Sequence, residues 1–221
     1  MKKIKFLSLG VLVLLFFGCS ASVKHYLQYD IVLEGVERPS EENEQLREQT
    51  ILTTEEYGYT YMFEDEIIKI LWLPLPTELR FLLENKTNDS IKIIWNEASY
   101  VCEKGESHKV LHTDVKVIDR FDLQVASIVE QNGVIEDFVY PADYVSYSHD
   151  SWAERPYMGV GWTERSLLPH SQKGGDPQEF LNKAKSYIGK EVQVSLPIKL
   201  EDVVKKYLFI FKVKDVNLVE K

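Results

Sequence analysis

Cysteine is nearly missing from this sequence: Cys19 and Cys102 are the two in 221 residues. That excludes a small scaffold stapled by several disulfides. Cations are also scarce. Lys and Arg number 26 against 35 Asp and Glu, a formal net charge of −9. Residues 1–18 hold three of those cations (Lys2, Lys3, Lys5) and no acid, so the rest carries 23 (26 − 3) against 35, or −12. A body that acidic repels phosphate backbones, which argues against nucleic acid as a partner. No apolar run reaches the ~18 residues of a membrane-crossing helix. No P-loop lysine motif and no fixed internal repeat occur. What remains is a globular composition, 44% hydrophobic and 12% aromatic, enough to bury a core.

The opening residues have the form of an export signal. Lys2, Lys3 and Lys5 precede Phe6 to Phe17, which is apolar apart from Ser8 and Gly10. A helix over that stretch would rise only ~18 Å, short of the ~30 Å hydrocarbon core. It therefore reads as a secretory apolar segment, ending at Gly18-Cys19. Leu15-Phe16-Phe17-Gly18-Cys19 resembles the lipobox of bacterial lipoproteins, with Phe at the two places where that family prefers Leu and a small residue. The resemblance implies cleavage before Cys19 and acylation of that cysteine. Several acyl chains would hold the protein firmly on a bilayer, each buried CH₂ contributing ~0.8 kcal/mol. The alternatives are an ordinary secreted protein in which Cys19 is incidental, and an uncleaved short anchor. Ser20, rather than Asp, follows the cysteine, which in that family favours the outer membrane where the organism has one. With Cys19 acylated, Cys102 has no partner for an intramolecular disulfide, and it reads as a small half-buried strand residue.

The rest reads as strand after strand. Val23 to Val36 alternates through Tyr29, Ile31 and Leu33. Glu37 to Gln49 is acidic and contains Pro39, as in a linker, an exposed loop or a short surface helix. Tyr57 to Phe63, Ile67 to Leu73 and Leu79 to Leu83 follow as strands, then a turn over Asn85 to Ser90. Ile91, Ile93 and Trp95 alternate. Ala98 to Cys102 and Ser107 to His112 flank the turn Glu103-Lys104-Gly105-Glu106. Val115 to Ile118 reads as a short strand. Ala126 to Val129 and Val134 to Tyr140 flank Asn132-Gly133, a hairpin signal because both residues tolerate positive φ. One helix stands out: Asp176 as cap, Pro177 first, Glu179 completing a capping box, an apolar stripe from Phe180 to Ile188, and Gly189 as stop. Two alternating strands, Val192 to Ile198 and Tyr207 to Val213, pair antiparallel across Lys199 to Lys206.

Short strands at this spacing, without a strand–helix rhythm, point to a mainly β chain built as an antiparallel sandwich. The expected organisation is a signal peptide over 1–18, a tether over 19–24, extra strands and an acidic linker over 25–76, and a β-sandwich core over 77–216. Phe81-Leu82-Leu83-Glu84-Asn85-Lys86-Thr87 running on to Ile91-Lys92-Ile93-Ile94-Trp95 resembles a segment of bacterial exported lipoproteins with immunoglobulin-like domains. Asn132-Gly133-x-Ile135-x-Asp137 before Pro141 is similar to their next hairpin. Ile188-Gly189-Lys190-x-Val192-x-Val194-x-Leu196-Pro197, then Tyr207-Leu208-Phe209-x-Phe211, is similar to their ending. The resemblance implies an immunoglobulin-like β-sandwich and no assigned reaction.

Chemistry-bearing patterns are sparse. His108 and His112 would form a metal pair on a helix, but four residues along a strand span ~13 Å, too far for one ion. His112 and Asp114 share a face, yet two ligands make no site. Ser148-His149-Asp150-Ser151 holds the residue types of a hydrolase triad on one loop, where adjacent residues cannot present the geometry. Gly159-Val160-Gly161 lacks the third glycine of a nucleotide loop. No metal, cofactor or catalytic residue is therefore expected. The one unusual segment is Phe138 to Trp162, in which seven of 25 residues are aromatic. Tyr147, Trp152, Tyr157 and Trp162, near Asp143, His149, Asp150 and Arg155, could stack on a glycan or grip an envelope protein. The plainer reading is that these rings cover one end of the core. The function expected is non-catalytic binding or envelope assembly, anchored outside the cytoplasm. An envelope hydrolase whose site forms only in the fold, or a purely structural envelope component, are the alternatives.

Cys19→Ser is expected to move the protein from the membrane pellet to the soluble fraction of cells, and mass analysis of the wild-type mature amino terminus is expected to show an acylated Cys19.

Overall fold

The computed structural model describes residues 24–37, 49–54, 58–148 and 161–219. The acidic stretch 38–48 and the residues at positions 1–23, which include Cys19, lie outside them. In chain order the strands are β1 Lys24–Glu37, β2 Gln49–Thr54, β3 Gly58–Glu64, β4 Ile68–Pro74, β5 Leu79–Asn85, β6 Ile91–Ile93, β7 Ser99–Val101 and β8 Ser107–Leu111. They continue with β9 Ser127–Val129, β10 Val134–Pro141, β11 Val145–Ser148, β12 Gly161–Glu164, β13 Ser171–Lys173, β14 Glu191–Leu200 and β15 Val203–Val219. The α-helix α1, Pro177–Ala184, lies between β13 and β14, with Asp176 Oδ1 accepting the Gln178 N–H at its cap.

Among the described residues one antiparallel sheet runs in the order β13-β1-β15-β14-β7-β8-β10-β5-β4-β3-β2, with β6 beside β14 and β9 beside β6. The sheet curls until its two halves face each other. Two-residue alternation explains why: β4 turns Ile68, Ile70 and Trp72 to one side, β5 turns Leu79, Phe81 and Leu83, and β15 turns Tyr207, Phe209, Phe211 and Val213. These rows meet. The Trp72 ring lies 5.0 Å from Phe209 and 5.3 Å from Phe211, on the opposite half, and 5.0 Å from Phe81 on its own. Phe63 of β3 sits edge-on to Tyr207 and Phe209, each at 5.9 Å. Burying each such side chain stabilises the fold by roughly 1.5–3 kcal/mol.

Pro197 stands inside β14, a central strand, where it cannot donate to a ladder. Pairing of β14 to β7 ends at Ser195 and pairing to β6 resumes at Ile198. Between them the 3₁₀ turn Trp95–Glu97 interrupts the neighbouring strand, and the Pro197 carbonyl accepts the Ile94 N–H at 3.0 Å. The missing N–H thus falls where no partner waits. The same turn, rather than a continued strand, carries Trp95.

Three other expectations change. Val115 to Ile118 is not a strand; a 3₁₀ turn covers Val117–Asp119. Among the described residues no strand pairs with it, and the backbone bonds locally instead, Val115 N–H to His112 O and Asp119 N–H to Lys116 O. Asn132-Gly133 does form a turn, with Asn132 at φ 52°. The strands it joins, however, do not pair with each other: β9 pairs with β6 and β10 with β5. The chain crosses there from one half of the sheet to the other. The hairpin joining β14 and β15 is also tighter, its ladder reaching Leu200↔Val203 around Glu201-Asp202.

The crossing is held by Asn85, fully buried at the end of β5. Its Nδ2 donates to the carbonyls of Asp89, Val129 and Glu130 at 2.8–3.0 Å. Its Oδ1 accepts from the N–H and hydroxyl of Thr87, and its own N–H donates to Gly133 O. Asn85→Ala leaves these groups without partners and is expected to cost about 2–3 kcal/mol, read as a lower denaturant midpoint at unchanged slope.

Candidate functional site

Where β8 ends and passes beneath the loop over residues 113–126, a groove of about 560 Å3 opens. His112 and Gln124 lie on its floor, Asp114, Asp119 and Asp122 on its walls, and Leu123, Val125 and Ile128 on its rim. His112 is 3% exposed, and its ring lies flat on Trp95, 4.1 Å between centroids and 7° from parallel. Trp95 is fixed in turn by its Nε1–H donating to Ser127 Oγ at 2.8 Å.

Asp137, at the middle of β10, stands beside the imidazole. Its Oδ2 is 3.3 Å from His112 Nδ1, and its Oδ1 accepts the N–H groups of Thr113 and Phe138, each at 2.8 Å. The imidazole is not aimed for a hydrogen bond, and neither ring nitrogen has a partner. Burial pushes the Asp137 carboxyl up, but His112 and the two N–H groups outweigh it and hold the group below its ordinary value of 3.8. Gln124 is similarly half-used: its Nε2 donates to Val110 O at 2.7 Å, while its buried Oε1 has no partner. The floor thus offers acceptor and donor capacity that the protein itself leaves unfilled.

The rim is rigid for a long loop. Asn96 and Gln124 exchange side chain to backbone hydrogen bonds, both 2.8 Å. Lys109 Nζ donates to the carbonyls of Phe121 and Asp122. With its backbone tied inward, the loop turns its apolar side chains out: Leu123 is 88% exposed and Val125 85%, with Ile118, Phe121 and Ile128 also largely in solvent. Single exposed apolar side chains are ordinary, but here five fall within the eleven residues from Ile118 to Ile128.

The aromatic stretch is divided. Tyr140 and Tyr144 are buried, and burial raises both phenols to about 12. Tyr140 Oη donates to Arg165 O at 2.6 Å, and the Arg165 guanidinium lies 3.5 Å from the Tyr144 ring centre. These two cover the core. Tyr147 and Trp162 are Cα partners on one rung of the β11–β12 pair. Trp152, Tyr157, His149, Asp150 and Arg155 lie outside the described residues.

His108 and His112 take separate carboxylates, Asp143 and Asp137, as strand spacing requires. Elsewhere Ser166 Oγ lies 2.8 Å from His170 Nδ1 on a second cavity. Burial, with a further push from Lys24, lowers the His170 pKa. Among the described residues no carboxylate orients that ring, so the pair lacks the third member of a hydrolytic triad. The groove at His112 was invisible in sequence because Trp95, Gln124 and Asp137 come from three separate segments. The apolar letters from Ile118 to Ile128, set among charges without regular alternation, were the one available signal.

No family model matches the chain, nor does any curated protein or solved structure.

Asp137→Asn is expected to destabilise the protein by about 1–3 kcal/mol at pH 7. A lowered folded pKa contributes stability above the unfolded value that is lost as pH falls through the folded one. The difference between variant and wild type, measured by denaturant titration, is therefore expected to shrink below pH 3.8.

Proposed function

We propose that this protein is a lipid-anchored extracytoplasmic lipoprotein with a non-catalytic role in binding another envelope protein. Acylated Cys19 tethers the body to the membrane, and the outer membrane is the favoured one where the organism has two. The body is an immunoglobulin-like β-sandwich with added strands. Two features support that reading. The neighbours β4, β5, β10 and β8 follow the A-B-E-D succession of such domains, and β6 or β7, β14 and β15 follow C-F-G. A buried tryptophan, Trp95, sits in the turn just after the strand in the C position, 6.4 Å from Phe81 of the B strand. Strands β1 and β13 extend one half beyond G, and β2 and β3 extend the other beyond A.

The observation that carries the binding role is the exposed apolar run Ile118, Phe121, Leu123, Val125 and Ile128, of which Leu123, Val125 and Ile128 border a groove with unfilled polar groups. Apolar anchors around a polar floor are how a protein partner is gripped and oriented. On the walls Asp114, Asp119 and Asp122 outnumber Lys116, which suits a partner with basic residues at its edge.

The test is co-purification of the native protein after mild detergent extraction, comparing wild type with Leu123→Asp/Val125→Asp. A stoichiometric partner of the wild type is expected to bind the double variant at least tenfold more weakly, about 1.4 kcal/mol, with folding and membrane fractionation unchanged. Equal recovery with both proteins, or no partner with wild type, would overturn the proposal.

A further inference from the structure

The hairpin of β7 and β8 brings together three side chains that sequence spacing leaves apart. Its ladder runs Ser99↔Lys109, Tyr100↔His108, Val101↔Ser107. Beyond the last rung the Cys102 N–H donates to Glu106 O at 2.9 Å, and Gly105, at φ 82°, closes the loop. Cys102 and Glu106 thereby stand opposite each other, with Sγ 3.8 Å from Glu106 Oε2. His108 follows two residues along, on the same face as Glu106. One ligand atom from each of Cys102, Glu106 and His108 lies within 4.8 Å of the others.

The imidazole is already oriented. His108 Nδ1 lies 2.8 Å from Asp143 Oδ2 and 3.0 Å from Oδ1, which places a proton on Nδ1 and leaves the lone pair on Nε2. The side chain is 9% exposed, held edge-on by Tyr144 at 5.2 Å. Nε2 is buried and has no hydrogen-bond partner. A buried acceptor left empty costs free energy unless something fills it. A carboxylate on one nitrogen and a free lone pair on the other is the arrangement by which proteins present imidazole to a metal.

We propose that Cys102 Sγ, Glu106 Oε2 and His108 Nε2 bind a divalent cation of the zinc class, with Asp143 as the orienting group behind the histidine. A thiolate, an imidazole and a carboxylate together suit Zn²⁺, whereas Mg²⁺ and Ca²⁺ take oxygen sets. Zinc bonds of about 2.0–2.3 Å in a tetrahedron set neighbouring ligand atoms roughly 3.5 Å apart. The 3.8 Å between Sγ and Oε2 is close to that, and the limit of 4.8 Å asks for a small inward movement. The route in is a cavity of about 290 Å3 bordered by Cys102, Glu106, Tyr144, Arg165 and His170. It leaves a fourth position for water or for a donor from a bound partner. Binding displaces the thiol proton of Cys102 to solvent, and no redox change is involved.

Cobalt is the probe, because a thiolate bound to Co²⁺ gives a near-ultraviolet charge-transfer band. The full chain in mild detergent is titrated with Co²⁺ alone, then with Zn²⁺. One equivalent of Co²⁺ is expected to give the band, and Zn²⁺ to abolish it. Cys19→Ser is expected to retain the band, and Cys102→Ser to lose it. Glu106→Gln, at an exposed side chain that the fold does not need, is expected to weaken binding at least tenfold. Asp143→Asn is expected to weaken it about 10–100-fold. Absence of the band in wild type, or its survival in Cys102→Ser, would overturn the site. Should Cys102→Ser fail to fold, unchanged affinity in Glu106→Gln and Asp143→Asn would overturn it equally.

Discussion

Trp72 carries the architecture. It has no exposed surface, and it touches Phe209 and Phe211 from the far half of the sheet and Phe81 from its own. A single antiparallel sheet with one apolar face has no reason to stay open: it must bury that face, and here it does so by curling until its own rings meet. Among the described residues there is no disulfide, and the body relies on those contacts. The cysteine that is described, Cys102, is free and buried at a hairpin end.

Given that closure, the polar groups become informative. Few polar side chains are buried, and two of them, His112 and Gln124, line the groove beneath the 113–126 loop. Asp137 stands beside His112, just past the end of β8, and His108 lies near the start of the same strand. All of these are near the β8–β10 pairing, whose ladder among the described residues is two residue pairs long, Tyr140↔Leu111 and Pro141↔Val110. Ladder hydrogen bonds are short there, so side chains and loops take over the bonding. His108 Nε2, both ring nitrogens of His112 and Gln124 Oε1 are buried near that short ladder without a hydrogen-bond partner.

Much of the strand plan could be read from local pattern. The β14–β15 hairpin, the β7–β8 hairpin and the Asp176-Pro177 helix start depend on neighbours in sequence, and period-two or capping rules reach that far. The Asn132-Gly133 turn shows the limit of such rules. Positive φ at Asn132 was legible, yet the pairing of its flanking strands was set by Asn85, some 45 residues away, through the Val129 and Glu130 carbonyls. The Val115 to Ile118 run failed as a strand for a related reason. Alternation makes a strand only where another strand lies alongside, and nothing in the run itself says whether one does.

Local sequence by itself settled the periodicity, the turns and the caps, because these depend on backbone preference and on side chains a few residues apart. It also carried the charge balance and the single Cys-terminated apolar segment on which the anchoring proposal rests. The tertiary structure alone decided which half of the sheet each strand joined, and so which polar groups were shut away from water. It set His112 on Trp95 and Asp137 beside it, and it brought His108 within reach of Cys102 and Glu106. Those meetings depend on distances between segments far apart in the chain, and distance in space is fixed only when the apolar faces find each other.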